Sequence, residues 1–190
     1  MITYAGGSAH VHGVSSGGAL ALLAAAAGVP IDRLSVYEVP YSVGAEAVSG
    51  WRDYVTRLTA ALADDDRDAA LKAFMGVAGA SEDDIANAPA TPFWPGLRTI
   101  AHTLAYDAAC LGDGEPPVED LARVTQPTLV ATGSVRDPHM GTQQPGFFDL
   151  AADAIAAAVP NATREIVEGA SHVADPATMS LVLKGFFSVP

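Results

Sequence analysis

Ser15 stands in Gly13-Val14-Ser15-Ser16-Gly17, a Gly-x-Ser-x-Gly pentapeptide at the end of a short apolar segment and at the start of an alanine- and leucine-rich one. A strand–turn–helix setting of this kind suits a nucleophilic serine. The turn is tight enough to hold the serine in a strained backbone conformation with its hydroxyl exposed. The flanking positions must lack side chains, because strand and helix come close together there, and Gly18 adds room for the same packing. The helix N-terminus favours developing negative charge, and the backbone N–H of Ser16 points to where an oxyanion would form. A serine hydroxyl is a weak nucleophile and needs a base, itself oriented by an acid. His172, reached from residues 164–168 through Gly169-Ala170-Ser171, is the candidate base. Asp137, reached from residues 127–132 through Gly133-Ser134-Val135-Arg136, is the candidate acid; its alternative is an ordinary loop residue before Pro138. Glu38 is the competing acid, at the end of residues 33–38; its alternative is a packing or loop-anchoring role.

The elements that must position these residues fall into three stretches. Residues 1–41 read as a core α/β segment: a strand over 9–14, a helix over 17–27 stopped by Gly28 and Pro30, and a strand over 33–38. This βαβ unit implies parallel strands. Residues 42–119 read as a helical lid or cap, with helices expected over 45–62, 68–77, 82–88 and 97–111. Residues 120–190 return to strand–helix alternation, with strands over 127–132 and 165–168 and helices over 148–158 and 176–187. Ser15, Asp137 and His172 then all sit at carboxyl ends of parallel strands, the edge where open α/β sheets bind ligands.

Composition bounds the function classes. The 190 residues are 49% hydrophobic and 17% charged, a globular balance. The formal net charge is −12 and the pI about 4.5, which argues against a nucleic-acid or anionic-membrane partner and leaves a small-molecule substrate. Cys110 is the one cysteine and reads as a small buried hydrophobe within 104–111. The histidines at 10, 12, 102, 139 and 172 form no Cys/His ligand cluster, so neither a metal nor another cofactor is expected. His102 reads as structural, and His139 lies close in sequence to Asp137. Trp51, Tyr54, Phe74, Met75, Phe93, Trp94 and Tyr106 either line an apolar pocket or fill the core under the helical region. No signal-peptide pattern and no bilayer-length apolar run is visible, so a cytoplasmic location is expected.

The landmarks HGVSSGGALAL at 12–22, LSVYEVPY at 34–41, PTLVATGS at 127–134 and EGASH at 168–172 resemble those of the α/β-hydrolase fold, lidded serine-hydrolase type. The resemblance implies a parallel sheet flanked by helices with a helical lid insertion. It also implies the chain order Ser–acid–His, hence Ser15, Asp137 and His172 as triad with the Ser16 N–H in the oxyanion hole. It implies hydrolysis of a small ester, thioester or amide without a cofactor. The alternatives are a catalytically silent or truncated relative, or a non-hydrolytic enzyme (haloperoxidase-like or a lyase) on the same scaffold. In that family the nucleophile turn follows the fifth strand, so the chain is expected to be the C-terminal part of the fold. It would then lack the loop that gives a second oxyanion donor, and would be a poor catalyst and a poorly stable monomer, with an open sheet edge through which copies associate.

Overall fold

Parallel pairing builds the frame. In a computed structural model that describes residues 2–188, Ala9–Val14 (β1), Ile31–Tyr37 (β2), Thr128–Gly133 (β3) and Ala162–Val167 (β4) form one sheet in the order β1-β2-β3-β4, and every neighbouring pair is parallel. The register sets Val14 beside Tyr37, and Tyr37 beside Ala131, so the residues following β1, β2 and β3 emerge along one edge. β2 and β3 are the interior strands and are the most buried, as strands covered on both faces must be. Alternation along them feeds two cores. Leu34, Val36 and Val130 join the larger one, while Tyr37, Leu129 and Ala131 meet Val167, Ala170 and Met179 on the opposite face.

Ser16–Ala26 (α1) connects β1 to β2. Its alanine-rich sequence fits its place, because it packs on β1 and β2 and is itself covered by later helices. Between β2 and β3 lie Ala45–Ala63 (α2), Arg67–Val77 (α3), Glu82–Asn87 (α4), Trp94–Ile100 (α5), Leu104–Leu111 (α6) and Val118–Leu121 (α7). The helix expected over 97–111 is divided into α5 and α6 by a 3-10 turn at 101–103. The cause is competition for carbonyls. Arg67 Nη1 donates to the carbonyls of Arg98 and Thr99 at 3.2 and 3.3 Å, which a continuous helix would have used, and the Thr103 hydroxyl takes that of Ile100 at 2.8 Å. The short α7 was not foreseen; Leu121 anchors it at 1% exposure.

Phe147–Ala158 (α8) joins β3 to β4, and Pro176–Phe187 (α9) follows β4. Arg164 clamps α8 to the sheet: Nη2 donates to Thr132 Oγ1 at 2.8 Å and Asp149 Oδ1 at 2.6 Å, and Nε to Asp153 at 3.0 Å.

His12 gives the fold a pH dependence. Its Nδ1 lies 3.1 Å from Ser35 Oγ, and burial lowers its pKa, partly offset by hydrogen bonding to the Ser35 backbone. The unfolded chain therefore takes up this proton first. Stability is full above the free-histidine value of about 6.5 and falls as pH drops from there toward the lowered folded value. The melting temperature of His12→Asn is expected to drop less between pH 7.5 and 5 than that of the parent; an equal drop would remove His12 as the source.

Candidate active site

The turn at Ser15 is built by close backbone approach. A Cβ on Gly13 would lie 2.5 Å from Gly17 O and 2.7 Å from Gly18 Cα, and one on Gly18 would lie 2.6 Å from Val39 Cγ2. Around a Cβ on Gly17 there is open space. The expectation that both motif glycines are sterically required thus holds for Gly13 and fails for Gly17, with Gly18 as the second tight position. Ser15 takes φ 55° and ψ −132°, a left-handed conformation that costs on the order of 1–3 kcal/mol in a residue with a side chain. The turn is locked by Ser15 N–H donating to Tyr37 O at 2.9 Å and Gly18 N–H to Ser15 O at 2.9 Å. The Ser15 side chain makes no capping bond to α1. Ser16 opens α1, so its N–H has no acceptor within the helix.

His172 is held by Glu38. Its Nδ1 lies 2.8 Å from Glu38 Oε2, and the side chains are 20% and 5% exposed. Glu38 Oε1 accepts from the Gly133 N–H at 2.9 Å, and Phe148 stacks on the imidazole at 4.9 Å and 11°. Glu38 adopts φ 47°, the second left-handed non-glycine residue at this sheet edge. Tyr37 ties the histidine loop down by donating to Ser171 O at 2.7 Å; burial, and then the Glu38 charge, push its phenol well above the usual range.

This corrects the expectation that Asp137 faces the second ring nitrogen of His172. Asp137 is buried, but its carboxylate is turned to backbone and loop. Oδ1 accepts from the His139 N–H at 2.9 Å, capping the 3-10 turn begun by Pro138, while Oδ2 takes the Ser171 hydroxyl and the Val173 N–H, both at 3.4 Å. Proline forces that turn immediately after Asp137, and the side chain serves it. Asp137 thereby grips both residues that flank His172.

Ser15, Ser16, Asp137 and His172 line one cavity of about 930 Å³ between the sheet edge and the helical segment. Trp51, Tyr54, Phe74 and Met75 line it as well, whereas Trp94 is core and Phe93 and Tyr106 are exposed. His139 reaches the cavity; His102, read as structural, is exposed and meets the edge of Tyr106. Cys110 is half-buried, and burial and then Asp107 push its thiol up, away from reactivity. Two site residues escaped the sequence reading. Phe148 carries no pattern that marks it. Asp107 did leave a signal: it is the one charge in LAYDAACL, and it accepts from Ser16 Oγ at 2.7 Å.

An alpha/beta hydrolase from Sphaerobacter thermophilus is 39% identical to the chain, with a TM-score of 0.81, over 98% of this chain and 70% of that one. An acetylester hydrolase from Corynebacterium glutamicum is 15% identical with a TM-score of 0.62, over 95% and 61%. The enol-lactonase from Burkholderia xenovorans is 20% identical with a TM-score of 0.58, over 96% and 66%. The last two likenesses concern the fold alone. No family model and no curated protein matches the chain.

Proposed function

The chain belongs to the α/β-hydrolase family, and from that premise we propose that it is a serine hydrolase of small esters, thioesters or amides. The observation that carries the reading is the strained Ser15, which lines the same cavity as a histidine that is itself braced by a buried carboxylate. Ser15 Oγ attacks the substrate carbonyl carbon as its proton passes to His172 Nε2. Glu38 keeps Nδ1 protonated and steadies the imidazolium that forms. The Ser16 N–H, at the positive end of α1, donates to the oxyanion. Collapse of the tetrahedral species expels the leaving group with the proton from His172. Water, deprotonated by the same histidine, then releases the acid from Ser15. Asp137 acts through the loop it grips, and α2 to α6 serve as a lid over the acyl pocket.

The test is hydrolysis of p-nitrophenyl acetate and butyrate by the parent chain and by Ser15→Ala. Loss of roughly 10³-fold or more in kcat/KM is expected, with stoichiometric labelling of Ser15 by a fluorophosphonate in the parent. Equal rates in the two proteins would refute the reading.

A further inference from the structure

Several large apolar side chains on the wall of the Ser15 cavity belong to neither core of the fold. Phe74 is 41% exposed, and Met140, Phe147 and Phe148 are half-buried outside both cores. Apolar surface left open beside a nucleophile marks a place for an apolar part of a ligand. Trp51 and Tyr54 also reach the cavity, but they are buried core side chains and offer it little open surface.

This wall is built, not loose. The end of α3 is fastened to the loop between β3 and α8: Gln143 Nε2 donates to Val77 O at 3.1 Å, and the Thr142 N–H donates to Gly79 O at 2.9 Å. Gly79 takes φ 89°, and a Cβ there would lie 2.6 Å from Gln143 Cγ and 2.9 Å from Gln143 N, so only glycine permits the approach. Phe74 on α3 and Met140 and Phe147 on the other side of that junction are thereby held around one cavity. The apolar surface runs on to the proposed base. Phe147 and Phe148 meet at 5.3 Å and 73°, and Phe148 stacks on the His172 ring. The room suits more than an acetyl group, since pockets that enclose whole drug-sized molecules run to about 300–1,000 Å³ and this one holds about 930 Å³. Its charged groups include the carboxylates of Glu46, Asp84, Asp107 and Asp137 against the single guanidinium of Arg57, which turns anionic groups away.

We propose that the preferred substrates are uncharged esters or thioesters carrying an apolar chain of about six to ten carbons, which lies along Phe148, Phe147, Met140 and Phe74. This rests on the serine-hydrolase reading above. A wall fixed in advance needs no reorganisation when the chain arrives, so burial of the chain goes into affinity for the substrate.

The experiment uses two substrate series, with the chain on either side of the scissile bond. p-Nitrophenyl acetate, butyrate, hexanoate and octanoate lengthen the acyl group. S-methyl, S-butyl and S-hexyl thioacetate lengthen the leaving group and are read by thiol release. A buried methylene is worth up to about fourfold, so kcat/KM is expected to rise at least about thirtyfold from the shortest to the longest member of one series. The series that rises says which group the wall holds. Phe74→Ser strips the wall, and Ala47→Phe fills the cavity from α2; each should lower the long-to-short ratio by about fivefold or more, with melting curves to check that both variants fold. Calorimetry on Ser15→Ala reads binding without turnover. Octan-1-ol is expected to bind at least about tenfold more tightly than butan-1-ol, and Ser15→Ala/Phe74→Ser should lose most of that preference. With turnover present, flat or falling rates in both series overturn the proposal, and so does a rise that neither Phe74→Ser nor Ala47→Phe reduces. Absence of turnover overturns the serine-hydrolase reading instead; a Phe74-dependent preference for octan-1-ol would then leave the apolar wall standing as a binding site, and without that preference both fall.

Discussion

Glu38→Gln is expected to lower kcat/KM on p-nitrophenyl esters by roughly 10³- to 10⁴-fold, whereas Asp137→Asn is expected to stay within about tenfold of the parent. Glu38 contacts Nδ1 of His172 at 2.8 Å and is itself fixed by the Gly133 N–H. A glutamine there can present its NH₂ to the ring, which favours the tautomer with its proton on the wrong nitrogen and withholds the charge that steadies the imidazolium. Asparagine at 137 keeps the oxygen that the His139 N–H uses and can still receive a weak bond from the loop. Its cost should appear mainly in the melting temperature, because the bonds it strains hold backbone. Steady-state kinetics with a melting curve for each variant separates the two roles. A dead Asp137→Asn beside a near-normal Glu38→Gln would restore Asp137 as the orienting acid.

The contrast shows where the sequence was informative. β1, α9 and the nucleophile turn were legible because each is a local pattern: alternation or apolar periodicity closed by glycine or proline, with a serine at the junction. The position of His172 was legible for the same reason, at the end of a strand and a short loop. The choice between Glu38 and Asp137 was not local. Both follow parallel strands, and the outcome depends on a side-chain direction set by φ 47° at Glu38 and by the Pro138 turn after Asp137. Strand order places Glu38 immediately after β2, directly between the strand preceding Ser15 and the strand preceding Asp137, so a carboxylate closing RLSVYE was the available clue. The division of 97–111 was equally hidden, because its cause is a guanidinium from α3, 31 and 32 residues before the carbonyls it takes. Asp107 was visible as a lone charge in an apolar helix, yet only the packing of α6 against α1 shows that it touches Ser16.

Gly13→Ala is expected to be among the most damaging single-methyl additions in this chain, and Gly17→Ala to be harmless or stabilising, although both glycines belong to the same pentapeptide. At Gly13 the new methyl meets backbone, Gly17 O at 2.5 Å and Gly18 Cα at 2.7 Å, and neither can swing aside as a side-chain tip would. α1 must move away from β1, which shifts Ser15 and the Ser16 N–H together. Overpacking of this kind costs about 1–3 kcal/mol, or roughly 2–12 °C in a domain of this size, and the displaced turn should cost activity beyond what the stability loss explains. At Gly17 the methyl enters open space in the first turn of α1, where replacing glycine by alanine in a helix gains about 0.5–1 kcal/mol. Melting curves and ester hydrolysis of the two variants, measured side by side, decide the matter. Equal destabilisation by both would mean that the close contact lies on the Gly17 side of the turn as well, and that the strand–helix approach at Gly13 and Gly18 is not what confines the motif to small residues.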